Sequence, residues 1–141
     1  QQMRNFPIEV RVALAISNPE TENRPAVWAR IRPEYHKSLS AKDGLSVLLF
    51  ISDSTMLGIA GDIYRNAGIE FKTLNTLHHQ VRIHANNLDP LGWYLTVAEC
   101  DTISHGVARV EARNYDEKGK CVMTAVQEGW IERVPETNHK L

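Results

Sequence analysis

The sequence predicts an α+β fold, an antiparallel β-sheet wrapped around one long central α-helix. A single stretch, Gly44 to Gly61, is apolar over the length of a helix, while the other ordered segments alternate with the period of a strand. Two strand candidates precede that stretch and four follow it. One sheet closing over one helix is the simplest packing for that order.

The first strand candidate is Phe6 to Ala15, where Ile8, Val10, Val12 and Leu14 alternate with Glu9 and Arg11. Asn18 to Arg24 reads as a polar loop containing Pro19. Ala26 to Arg32 alternates again, with Val27, Ala29 and Ile31 opposing Trp28, Arg30 and Arg32, and Pro33 stops it. Ser40 has the chemistry of an N-cap, and Asp43 fills the acidic place of a capping box. The helix is expected from about Ala41 to Ala60, closed by Gly61. Phe71 to Ala85, Trp93 to Cys100, Val107 to Tyr115 and Cys121 to Arg133 then read as a meander of strands. Asp116-Glu117-Lys118-Gly119 supplies the hairpin turn between the last two.

The 141 residues suit a single domain spanning 1–141, without repeats or linkers. With 16 Lys and Arg against 17 Asp and Glu, and no basic stripe, nothing suggests a nucleic-acid surface. Ser52, Asp53, Ser54 and Thr55 interrupt the apolar helix at its centre, which argues against a membrane span. Cys100 and Cys121 make no disulfide framework and read as packing thiols of a reducing compartment. Gln1-Gln2-Met3-Arg4 shows no apolar leader, so no secretory signal is expected. The terminal His139-Lys140-Leu141 differs at one position from the Ser-Lys-Leu peroxisomal address.

Asp53 is the first candidate for chemistry, as the only charged residue between Gly44 and Gly61. Leu45, Leu49, Met56 and Ala60 form one helical stripe with Asp53 at its edge, so an interior carboxylate is expected. Two readings stand at this point: a structural acid bonded to loop amides or to Ser52, Ser54 or Thr55, or an acid kept there to act on substrate. The run Thr76-Leu77-His78-His79-Gln80-Val81-Arg82-Ile83-His84 invites a metal reading. Strand geometry opposes it, because His78 and His79 point to opposite faces and His78 and His84 lie ~20 Å apart at about 3.3 Å per residue. His79 is the odd polar member of the row formed by Leu77, Val81, Ile83 and Ala85. Gln127 shares a face with Cys121, Met123 and Ala125; a buried amide needs partners, and Asp53 across the helix–sheet interface is one.

Three pieces together resemble the type II acyl-CoA thioesterase family: Leu49-Phe50-Ile51-Ser52-Asp53, Thr76-Leu77-His78-His79 through His84, and Val126-Gln127-Glu128-Gly129-Trp130-Ile131. Members are double-hotdog proteins, and the resemblance covers essentially the whole chain as the C-terminal hotdog. It implies a hotdog fold and a hydrolytic trio of Asp53, Thr76 and Gln127 that holds a water against the thioester carbonyl. It implies fatty acyl-CoA as substrate, free acid and CoA as products, and no cofactor and no metal. The family pattern carries Asp where His78 stands and Ser where Gln80 stands, a departure beside an intact trio. Strict alternation puts Thr76 out of phase with the apolar row, so a bulge or the strand's start near Thr76 is expected to re-aim it.

The resemblance further implies a partner, either a second copy in a homo-oligomer or an N-terminal hotdog half, since the chain begins where the linker would end. In that context the C-terminal tripeptide points to the peroxisome, and otherwise to the cytoplasm. One competing reading is a non-catalytic half that binds acyl chains or completes the sheet. A hotdog enoyl-CoA hydratase is disfavoured, because it sets a His five residues after its Asp and here Gly58 stands there.

Overall fold

A computed structural model describes residues 6–13 and 25–134. The expected residues Leu14 and Ala15 of the first strand, the loop from Asn18 to Arg24 and the tail His139-Lys140-Leu141 lie outside them. The elements are β1 (Ile8–Val12), β2 (Ala26–Ile31), α1 (Gly44–Asn66), β3 (Phe71–Ile83), β4 (Tyr94–Ser104), β5 (Val107–Tyr115) and β6 (Cys121–Arg133). All six strands join one antiparallel sheet in the order β1-β2-β4-β5-β6-β3, and α1 packs across it. This is the expected hotdog arrangement.

The turns follow from local chemistry. Asp116 Oδ1 accepts the backbone N–H groups of Lys118 (3.0 Å) and Lys120 (2.9 Å), tying the β5–β6 hairpin. β4 runs four residues past its expected end at Cys100, because His105 (φ 50°) and Gly106 (φ 80°) make a tight two-residue turn into β5. The Ser40–Asp43 contact forms as expected, with Asp43 Oδ2 accepting from Ser40 N at 2.6 Å and Ser40 Oγ at 2.8 Å. It closes a 3-10 turn, Ala41–Asp43, that feeds α1.

Two expectations need correction. The helix does not close at Gly61 but runs on to Asn66. Gly61 is an interior position where the helix passes Phe71: a Cβ there would lie 3.1 Å from the Phe71 ring. The left-handed turn residue is Gly68, at φ 72°. The last four strands are also not a simple meander. β4, β5 and β6 are, but β3 crosses to the far side of β6 and becomes the edge strand. The connection 84–93 then returns the chain to the middle of the sheet.

The core lies between α1 and the sheet. Leu48, Ile51, Met56 and Ala60 from the helix meet Ala29, Ala108, Val110 and Met123 from the strands, all fully buried. Small side chains on β5 and β6 let the helix approach. Gly129 is the extreme case, since a Cβ there would sit 2.6 Å from Leu57 Cδ1. That close approach sets the spacing between the middle of α1 and the C-terminal half of β6, where the candidate residues stand.

Candidate active site

Asp53, Thr76 and Gln127, separated by up to 74 residues in sequence, form a closed triangle of hydrogen bonds. Gln127 Nε2 donates to Asp53 Oδ1 at 2.8 Å and to Thr76 Oγ1 at 2.9 Å. Thr76 Oγ1 donates to the same Asp53 Oδ1 at 3.3 Å. Each element contributes by its own geometry. α1 presents Asp53 one turn before Leu57, which is pressed against Gly129. β6 turns Gln127 inward, in register with Val110 on β5 and His79 on β3.

Thr76 reaches the triangle through a bulge. Thr76 pairs with Gly129 and His78 with Glu128, so Leu77 is the unpaired extra residue. An extra residue shifts the period-two alternation by one, which brings Thr76 into phase with His79 instead of His78. The re-aiming expected from the sequence is therefore present, and Leu77 is its product: an apolar side chain 60% exposed on the edge strand.

The burial of the three side chains differs from expectation at one of them. Gln127 is fully buried, as its apolar row suggests. Asp53 is not an interior acid; its side chain is 53% exposed. The expected stripe holds only in part: Met56 and Ala60 are fully buried and Leu49 is half-buried, but Leu45 is 44% exposed, and Asp53 meets the sheet at β6 and the edge strand β3. The two oxygens of Asp53 are thus bonded unequally. Oδ1 takes the hydrogen bonds of Gln127 and Thr76, while Oδ2 has no hydrogen-bond partner among the described residues. The Gln127 amide is oriented by this pattern, because reversing it would set Oε1 against the carboxylate. Its Oε1 is left buried without a partner.

Two further side chains belong to the cluster. His79 is 17% exposed, with Nδ1 3.8 Å from Asp53 Oδ1 and Nε2 3.1 Å from Ser52 Oγ. Burial pushes the His79 imidazole below its ordinary value, the Asp53 carboxylate pulls it back up, and His78 lowers it. His79 is accordingly neutral at pH 7. Ser52 is fully buried and also lies 3.2 Å from Met56 Sδ. Sequence reasoning offers Ser52 only as a structural partner of Asp53 and gives His79 no part in the site. The signal is available in both: a lone imidazole in the apolar row of β3, and a serine beside the only charged residue between Gly44 and Gly61. His78 and His84 do not join the cluster; both are exposed, and His84 Nε2 lies 3.0 Å from Thr124 Oγ1. Cys100 and Cys121 are half-buried free thiols outside the cluster.

A carboxylate with one hydrogen-bonded oxygen and one without such a partner can hold a water and take its proton. The neighbouring hydroxyl and amide fix the angle at which that water meets a substrate.

Residues 2–131 match the acyl-CoA thioesterase C-terminal domain family. No curated protein matches the chain in sequence. The fold is similar to acyl-CoA thioesterase II TesB2 from Mycobacterium marinum, with a TM-score of 0.72 and 21% identity over 92% of this chain and 50% of that one. It is similar to the tesB protein of Mycobacterium avium subs paratuberculosis, with a TM-score of 0.65 and 16% identity over 90% of this chain and 48% of that one. A hypothetical thioesterase from Streptococcus pneumoniae TIGR4, solved with coenzyme A, gives a TM-score of 0.57 and 15% identity over 89% of this chain and 92% of that one. The chain spans about half the length of the two mycobacterial proteins.

Proposed function

The chain belongs to the acyl-CoA thioesterase C-terminal domain family, and from that premise we propose that it supplies the water-activating site for hydrolysis of fatty acyl-CoA. The observation that carries this is the closed triangle on Asp53 Oδ1, which leaves Oδ2 without a hydrogen-bond partner among the described residues on a side chain 53% exposed. A water bound to Oδ2 attacks the thioester carbonyl carbon as Asp53 takes its proton. The carbonyl oxygen becomes an oxyanion that needs a preorganised donor, such as a backbone N–H. Collapse of the tetrahedral intermediate breaks the C–S bond, and the CoA thiolate recovers the proton held by Asp53. Free fatty acid and CoA leave, and no acyl-enzyme forms. The coenzyme A bound by the pneumococcal relative supports a CoA thioester as the substrate class.

A second hotdog completes this site. Half of the Asp53 side chain faces solvent, and the apolar side chains of Phe50 and Leu77 are exposed on α1 and β3. Thioester hydrolysis at a carboxylate benefits from excluding bulk water. β3 is a long edge strand without proline, a ready template for pairing with another sheet. The partner is a second copy of this chain or an N-terminal hotdog half. We assign the protein to peroxisomal lipid metabolism on the likeness of His139-Lys140-Leu141 to the Ser-Lys-Leu signal.

The exposure of Asp53 favours one other reading, a half that completes the sheet without catalysing. Thiol release from acyl-CoA separates the two. Hydrolysis by the wild type with a loss of roughly 10²-fold or more in Asp53→Asn supports catalysis at this site. Equal rates for both proteins leave the structural reading.

A further inference from the structure

Ser52, His79 and Asp53 are strung together as hydroxyl, imidazole and carboxylate, with Nε2 toward the serine and Nδ1 toward the acid. That is the connectivity of a nucleophilic serine relay, but Ser52 cannot be the nucleophile. It is fully buried, with the side chain of Met56 against its Oγ, and no acyl carbon can reach it. The array therefore works in the other direction, from the buried serine outward to the acid.

The protons decide how. Ser52 has one hydroxyl hydrogen and two neighbours that could accept it, His79 Nε2 at 3.1 Å and Met56 Sδ at 3.2 Å. An imidazole nitrogen is a much better acceptor than a thioether sulfur. Donation to Nε2 leaves the ring proton on Nδ1, which faces Asp53 Oδ1 at 3.8 Å. The alternative tautomer would aim the Nδ1 lone pair at a carboxylate. Both considerations select the same state. We propose that His79 is a positioning residue for Asp53: Ser52 fixes its tautomer, and its Nδ1–H holds Oδ1 so that Oδ2 faces the reacting water. This rests on the hydrolytic reading of the site given above.

The geometry supports this role in two ways. Gln127 and Thr76 meet Oδ1 from β6 and from the start of the bulge, while His79 approaches it from the strand after the bulge. Donors from different directions stop rotation about the Asp53 Cβ–Cγ bond, which two alone leave freer. The separation of 3.8 Å is longer than a hydrogen bond, and such contacts in an active site shorten when substrate is bound. The groups facing His79 are Ser52 and Asp53 from α1, Gln127 across the strand pair and its own neighbour His78.

The first test needs no variant. Side-chain ¹⁵N shifts of His79 in the wild-type chain report the tautomer directly; the Nδ1–H form is expected, and the Nε2–H form would overturn the proposal. The second test is kinetic, on the assembly that hydrolyses acyl-CoA. His79→Asn keeps an N–H at the Nδ1 position, whereas His79→Gln places it near Nε2. His79→Asn is expected to keep kcat within about fivefold, and His79→Gln to lose roughly 10–100-fold, with KM within twofold in both. Equal losses in the two variants would refute positioning through Nδ1. The hydrolytic reading fails by a different result, wild-type turnover in Asp53→Asn, and the tautomer measurement does not depend on that outcome.

Discussion

Replacing Gln127 by Met separates what this residue does for folding from what it does for chemistry. The side chain is fully buried, donates at 2.8 Å to Asp53 and at 2.9 Å to Thr76, and leaves Oε1 unpartnered. Methionine has a similar length and flexibility without polar atoms. The bond to the carboxylate contributes about 1.5 kcal/mol, the low end for a charged acceptor because Asp53 is 53% exposed. The bond to the hydroxyl contributes about 1 kcal/mol. Removing a buried, unpaired carbonyl oxygen returns about 1–3 kcal/mol. The balance runs from about 1.5 kcal/mol destabilising to about 0.5 kcal/mol stabilising, a fall in Tm of at most about 6 °C for a domain of this size. Turnover behaves differently, because Asp53 and Thr76 lose the amide that joins them. A carboxylate misplaced by an ångström costs roughly 10²-fold in kcat. Thermal melting by circular dichroism and thiol release from an acyl-CoA measure the two effects on the same samples. A variant that melts more than about 10 °C lower while retaining its turnover per folded molecule would refute this reasoning.

Gly129→Ala places a Cβ 2.6 Å and 2.7 Å from the Leu57 methyl carbons, so it is expected to destabilise by about 1–3 kcal/mol. Adding Leu57→Ala should cost less than the sum of the single changes by at least about 0.5 kcal/mol in denaturant unfolding; strict additivity would exclude the clash. Burial holds the His79 pKa below its unfolded value of about 6.5, so the unfolded chain binds the extra proton and stability falls as pH drops below that value. Tm should therefore decline between pH 7 and the lowered folded pKa, and decline less in His79→Asn, which carries no titrating ring; parallel curves for the two proteins would contradict this. Leu77→Asp puts a charge on the exposed edge strand, so pairing with the proposed partner hotdog, a second copy or an N-terminal half, should weaken in light scattering of the assembly with Tm within a few degrees of wild type. An unchanged oligomer would place the pairing surface elsewhere.

Alternation and capping make most of the fold legible. The two strands before the helix, the helix itself and the four after it are all present, and β5 and β6 have their expected limits. What fails has a common cause: local pattern does not say which element covers which. Gly61 carries the usual mark of a helix end, yet here its missing Cβ admits Phe71. β3 alternates like any other strand, and nothing within it announces that it will sit at the edge beyond β6. The expectation of an interior Asp53 fails for the same reason, since the strand it meets, β3, is the edge of the sheet and leaves its side chain 53% exposed. At the site, the clash between Thr76 and strict alternation is readable as a bulge, because a one-residue phase error has few other remedies. Ser52 and His79 each stand out in the sequence, but their pairing stays hidden, because the contact joins α1 to β3 and depends on that same phase shift.

The central claim is direct attack by a water held at Asp53, and one experiment addresses it at the level of atoms. Enzyme in excess over acyl-CoA is allowed a single turnover in ¹⁸O water, and mass spectrometry then reads the released fatty acid and every peptide of the enzyme, the one that contains Asp53 included. Label in the fatty acid alone, with no acylated peptide at any quench time, is the expected result. An acyl adduct on any residue, or label transferred into the Asp53 carboxylate, would contradict it.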